Sequence, residues 1–328
     1  MRQNYIDALR GLAIFVVVYC HFVGFKLNLT FSSYIMTFLT SFFIPLFFFI
    51  SGYCVYKSHI PRNFLYNKSK TLLLPTIIIL LISSYIWNSN FLEIIQLPGT
   101  KGGYWFTFIL FQMMIFYGLI KSIKIENFIK NKILVESVYI IYFIFIILLY
   151  RLSFDTLIGN IMSSSMLFYN LIYFVIGLYC KKYKEIFHRI IDNKFFLFFI
   201  FFLSLFDIFI DIHYMITKIS RILLIYTLFY NNRNWIDKSL IGKTFSYLGK
   251  YTLEIYFLHY FLLFTPPMII NNYLNSIYTG NNHANEIVVS FVEFSIITPI
   301  VIYISYICVF IRKIISSVPL LSRFIFGR

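Results

Sequence analysis

Arg10 and His21 are of the types, and at the spacing, that chemistry requires. Ten residues separate them in the apolar stretch DALRGLAIFVVVYCHF. In an α-helix that step advances about 16 Å over about three turns, so both side chains leave nearly one face. A guanidinium suits a phosphate or another anion. An imidazole suits general acid/base work near neutral pH. Each residue also has a plain structural reading. Arg10 could anchor the helix at lipid headgroups, with Asp7 one turn away as its partner. His21 could be a buried ring bonded to a neighbouring helix. Sharing one face favours function for the pair.

Other segments offer further groups. The stretch IPLFFFISGYCVYK holds Pro45 and Gly52, which weaken regular helix, beside Ser51 and Tyr53. It reads as a packing kink or as part of an acceptor site. In PGTKGGYWFTF, Gly102 and Gly103 precede Tyr104 and Trp105. This aromatic pair reads as an interfacial belt or as a lip that binds an acceptor. The stretch SYLGKYTLEIYFLHYFLL carries Glu254 and His259 within an apolar run. Five residues apart, they lie about 140° around a helix, so each needs its own partner. The structural reading pairs each, for example Glu254 with an arginine or lysine; the functional one is a second acid/base group, or a clamp on Arg10 or His21. Asp207, Asp211 and Glu293, in or at the ends of apolar runs, are ranked as structural charges. The cysteines, Cys20, Cys54, Cys180 and Cys308, show no Cys-x-x-Cys spacing, so neither a disulfide framework nor a metal site is expected.

The elements that must position these groups are membrane helices. The 328 residues are 60% hydrophobic, 22% aromatic and only 12% charged, with mean hydropathy +0.80. Water cannot solvate such a chain, and lipid must. Crossing segments are expected near 9–25, 34–56, 71–88, 104–120, 134–151, 163–180, 195–211, 216–230, 247–266 and 288–311. The seventh and eighth are interrupted by Asp207, Asp211, His213, Lys218 and Arg221. With the N terminus inside, 23 of the 28 basic residues fall on inner segments, which sets the orientation. The expected fold is all-α: one polytopic membrane domain over 1–328, with about ten helices and both termini cytoplasmic. The first run lacks a small-residue cleavage site and reads as a retained helix. The net charge of +15 lies in short loops. It marks topology and would attract an anionic cofactor or membrane lipid, and no nucleic-acid partner is expected.

The segment YIDALRGLAIFVVVYCHF resembles the opening of the acyltransferase-3 family of integral membrane O-acyltransferases, whose hallmark is an arginine, ten residues and a histidine. FFFISGYCVYK, YWFTFILF and LGKYTLEIYFLHYF resemble that family's later signatures, in the expected order. The resemblance implies transfer of an acyl group, usually acetyl from acetyl-CoA, to a hydroxyl of a cell-surface or lipid-linked carbohydrate. It assigns the essential pair to Arg10 and His21, and Glu254 and His259 are expected as further catalytic groups that orient or support that pair. Lys68, Lys70 and Lys250 would join Arg10 in holding the cofactor. Ser51, Tyr53, Tyr104 and Trp105 would meet the acceptor. Transfer could be direct or pass through an acyl-protein, with Ser51, Tyr53 or a histidine as carrier. Some relatives carry a fused esterase-like domain. This chain has none, so it acts alone or with a separate extracytoplasmic acyltransferase partner. A bacterial plasma membrane is the expected location. A transporter or flippase for lipid-linked sugars, a regulatory subunit, and an acyltransferase of another polytopic family are the rival readings.

Overall fold

The computed structural model describes residues 3–27, 34–57, 59–97, 101–205, 214–270, 272 and 286–327. Regular structure among them is entirely helical. In chain order the helices are α1 (Asn4–Phe22), which continues through a π-helical turn (Val23–Leu27), α2 (Tyr34–Val55), α3 (Phe64–Ile86), α4 (Phe91–Gln96), α5 (Trp105–Ser122), α6 (Lys132–Leu152), α7 (Leu157–Met162) and α8 (Ser164–Lys182). Then follow α9 (Lys184–Ile191), α10 (Lys194–Leu205), α11 (Tyr214–Asn231), α12 (Arg233–Lys238), α13 (Leu240–Lys250), α14 (Thr252–Leu262), α15 (Glu286–Ser317) and α16 (Pro319–Phe326).

Among the described residues, six helices are long and apolar enough to cross a membrane: α1 with its π turn, α2, α3, α5, α6 and α15. The segments expected at 163–180 and 216–230 fall on α8 and α11, and the described part of 195–211 falls on α10. The ninth segment differs from expectation. It breaks at Tyr251 into α13 and α14, each of 11 residues. Asp207, Asp211, His213 and most of 267–287 lie outside the described residues. The chain divides into two compact units, one of residues 1–50 and 183–314, the other of 51–182 and 315–328.

In the first unit α1 is the central element. Tyr5–Leu9, Gly11 and Ala13–Cys20 are all buried. A helix apolar on every side belongs inside, not at a surface. Its neighbour α13 comes within backbone contact. A Cβ on Gly11 would lie 1.8 Å from the Phe245 carbonyl oxygen, and one on Gly249 would lie 1.7 Å from that of Asp7. Small residues at such crossings let two helix backbones meet. On another side, the Tyr19 hydroxyl donates to Glu293 Oε1 at 2.9 Å and ties α1 to α15. The Phe294 ring packs on Phe15 and Tyr19. These contacts leave α1 little freedom to rotate or slide.

In the second unit Gly52 does the same work. Its Cβ would lie 2.0 Å from the Phe174 carbonyl oxygen, so α8 lies backbone to backbone against the end of α2. The kink expected at Pro45 and Gly52 does not interrupt α2, which runs unbroken through Pro45. A proline removes one backbone donor, a loss that packing in a membrane protein accommodates. Lys121 pairs with Glu126 and Lys182 with Glu136, and both ammoniums lie over the Tyr139 ring.

Candidate functional site

His21 stands one residue before the end of α1, and the chain then opens into the π turn. Such wide turns are rare and occur often at functional sites. His21 Nδ1 lies 2.8 Å from His259 Nε2, with the two rings within 7° of one plane. His259 Nδ1 lies 3.0 Å from the carbonyl oxygen of Ile255, one turn back on α14. The Tyr260 hydroxyl lies 3.2 Å from the remaining His21 nitrogen, Nε2. His259 is fully buried, whereas His21 and Tyr260 are partly exposed. Phe25, in the π turn, is 61% exposed. Its ring lies 5.6 Å from that of His21 and 6.2 Å from that of Tyr260. The partly exposed surroundings of His21 are therefore aromatic.

A backbone carbonyl only accepts, so His259 Nδ1 carries a hydrogen and donates to Ile255. A neutral His259 then presents a lone pair at Nε2, and His21 Nδ1 must donate to it. A neutral His21 is left with its lone pair at Nε2, where the Tyr260 hydroxyl donates. One carbonyl thus fixes both tautomers in series and aims a basic nitrogen at the open side. If His21 takes up a proton, its Nδ1–H bond to His259 becomes charge-assisted and stronger. A carboxylate holds the histidine in serine hydrolases. Here a neutral imidazole on a backbone carbonyl takes that place.

Arg10 and His21 are two of the few residues of α1 that are not buried. Arg10 is one-third exposed and touches Asp7 Oδ1 at 3.7 Å, a loose ion pair that leaves guanidinium donors for an anion. The face between the two is closed. Ala13 and Ile14 are 0% exposed and Val17 5%. A groove along α1 from Arg10 to His21 is therefore not open in this conformation. Glu254 is 1% exposed and pairs with Arg312 Nε at 3.7 Å, and the Arg312 guanidinium lies over the Tyr251 ring. Glu254 and His259 thus have separate partners, as their spacing requires. Lys250 ends α13 and is exposed.

The acyltransferase-3 family model, described as an acyltransferase domain, matches residues 3–310. The chain belongs to that family. No curated protein and no solved structure matches it. This multi-pass membrane acyltransferase therefore transfers acyl groups to hydroxyls.

The other expected site residues of the acyltransferase lie in its second unit. Ser51 is half-buried, and Tyr53 is buried with the Lys181 ammonium 4.9 Å from its ring centre. Lys68 and Lys70 flank the start of a second π-helical turn (Ser69–Leu73) within α3, and Lys68 lies over Phe64. Tyr104 is fully buried at the start of α5, so it is a packed residue and not part of an interfacial belt. Trp105 is partly exposed. Before them Lys101, 2% exposed, donates to the carbonyls of Ile95 and Asn160, and burial pushes its pKa down to about 8. Four contributors to the first unit escaped sequence reasoning: Tyr260, Phe25, Arg312 and the Tyr19–Glu293 bond. Tyr260 had one signal, its place beside His259.

Proposed function

We propose that this acyltransferase takes an acetyl group from acetyl-CoA and places it on a hydroxyl of a cell-surface or lipid-linked carbohydrate in a bacterial plasma membrane, with His21 as general base. The observation that carries this reading is the bond series from Ile255 O through His259 to His21, which leaves the Nε2 lone pair toward the partly exposed side. His21 draws the proton from the acceptor hydroxyl as its oxygen attacks the thioester carbonyl. The oxygen–carbon bond forms and the carbon–sulfur bond breaks. The proton then passes from His21 to the departing thiolate. His259 stabilises the imidazolium between the two proton steps.

Arg10, assisted by Lys250, holds the cofactor phosphates on the basic inner side. The closed face of Ala13, Ile14 and Val17 means the pantetheine arm enters only if helices part around α1, or follows another wall. Ser51, Tyr53, Tyr104 and Trp105 remain candidates for the acceptor side, and Ser51 or Tyr53 for an acyl carrier. Tyr53 and Tyr104 are buried, which places Ser51 and Trp105 ahead of them. A separate extracytoplasmic partner could complete delivery. No metal takes part in this scheme.

The test uses membranes bearing the full chain, radiolabelled acetyl-CoA and the glycan fraction of the host. Label should reach the glycan only with the chain present, and mass spectrometry of the glycan should show the added acetyl. Glycan that crosses the membrane without gaining label would support a transporter and contradict the proposal. Arg10→Ala should weaken acetyl-CoA binding by about 10- to 100-fold, the loss of one charge-assisted contact. An unchanged dissociation constant would return Arg10 to the role of membrane anchor.

A further inference from the structure

Among the described residues of the first unit, the Tyr260 hydroxyl sits against the nitrogen whose lone pair the reaction needs. Both nitrogens of His21 are engaged: Nδ1 with His259 at 2.8 Å and Nε2 with the Tyr260 hydroxyl at 3.2 Å. The Tyr260 ring stacks on His21 with centroids 4.8 Å apart and lies 4.2 Å from His259. It stands next to His259 on α14, so one short helix fixes both neighbours of His21. Tyr260 is partly exposed, while His259 is not. A group arriving from the open side therefore meets the phenol and the edge of His21, and never His259.

We propose that Tyr260 is a catalytic residue that relays the proton between the acceptor hydroxyl and His21. This proposal rests on His21 being the base. The phenol oxygen gives its own proton to His21 Nε2 and takes the acceptor's proton in return. As this happens the acceptor oxygen bonds to the thioester carbon, and the carbon–sulfur bond breaks. The same path in reverse brings the proton from His21 through Tyr260 to the leaving thiolate. No further reactant is needed. The ring contact keeps the phenol oxygen within hydrogen-bond distance of Nε2, the positioning that proton transfer requires.

The relay explains why a base nitrogen is occupied in the resting protein. It also carries a steric consequence. Removing the phenol oxygen uncovers Nε2, so direct base catalysis predicts that Tyr260→Phe retains or gains activity. A relay predicts the opposite.

The experiment compares wild type, Tyr260→Phe and His21→Ala as full chains in membranes, with radiolabelled acetyl-CoA and the glycan fraction of the host. Turnover at saturating acetyl-CoA should fall by about 10²-fold in Tyr260→Phe, with the KM for acetyl-CoA unchanged, because the ring and its stacking remain. The wild-type rate in mixtures of light and heavy water should bend as for two protons in flight. Loss in both variants supports the relay. Full activity in Tyr260→Phe with none in His21→Ala overturns the relay and leaves direct base catalysis. Full activity in His21→Ala overturns the base reading itself. If Tyr260→Phe fails to insert, a 3-fluorotyrosine at position 260 keeps the ring and hydroxyl and only makes the phenol more acidic. A changed rate then supports the relay, and an unchanged rate overturns it.

Discussion

Replacing His259 by phenylalanine should slow acyl transfer without removing the base. The ring space stays filled, but Nε2 is lost as the acceptor of the His21 Nδ1–H bond, now 2.8 Å. In the resting protein that bond is between neutral groups. Once His21 carries the proton it is charge-assisted, and such bonds contribute about 1.5–3 kcal/mol. Removing it raises the barrier by that amount, a loss of about 10- to 150-fold in turnover. His21 also loses its fixed tautomer, which pushes the loss toward the upper end. His259→Gln places an amide oxygen within reach of the same proton and should recover most of the rate. The assay is turnover at saturating acetyl-CoA, normalised to folded protein in the membrane. His259→Phe added to His21→Ala should cost nothing more, because the two act as one unit. Wild-type turnover in His259→Phe, or no advantage of glutamine over phenylalanine, would refute the bond series as the device that holds His21.

Gly11→Ala and Gly249→Ala each force a Cβ onto a carbonyl at under 2 Å. Each should destabilise the protein by about 1–3 kcal/mol or more and lower the yield of folded chain, as read by thermal unfolding in detergent. Arg312→Met removes a cation 3.7 Å from the buried Glu254 carboxylate and should lower thermal stability. The double variant with Glu254→Gln should recover part of that loss. Lys101 titrates near pH 8 when folded, against 10.5 for the free side chain. Between these values the unfolded chain binds more protons, so stability rises with pH through that window. Wild type should therefore gain thermal stability relative to Lys101→Met from pH 8 to 10.5, and a constant difference would show that the amine is not desolvated.

The residues tell how far a sequence can be read. Arg10 and His21 declared themselves because a helix repeats every 3.6 residues and eleven steps bring the face round again. Apolar length was equally plain, since lipid demands it. The five-residue step from Glu254 to His259 ruled out a shared partner, and the two indeed turn to Arg312 and His21. What the step could not say is which partners, because the His21–His259 bond joins positions 238 apart. Tyr260 was one of 27 tyrosines, and only the ring of His21 beside it gives it meaning. The sequence reads Pro45 and Gly52 together as a kink that lets helices pack closely. Glycine there serves close approach to α8, and the proline leaves α2 intact. Tyr104 looked interfacial by type and position, yet packing has buried it. The break at Tyr251 is hidden because the sequence marks it only with Gly249, a small residue that reads equally well inside an unbroken apolar run.

The most direct measurement is acetyl transfer by His21→Ala, made as the full chain and checked for normal insertion. Base catalysis by His21 predicts a fall of about 10²–10⁴-fold in turnover, with acetyl-CoA still bound through Arg10. Transfer at near the wild-type rate would make His21 a packing residue and contradict the proposed chemistry at its root.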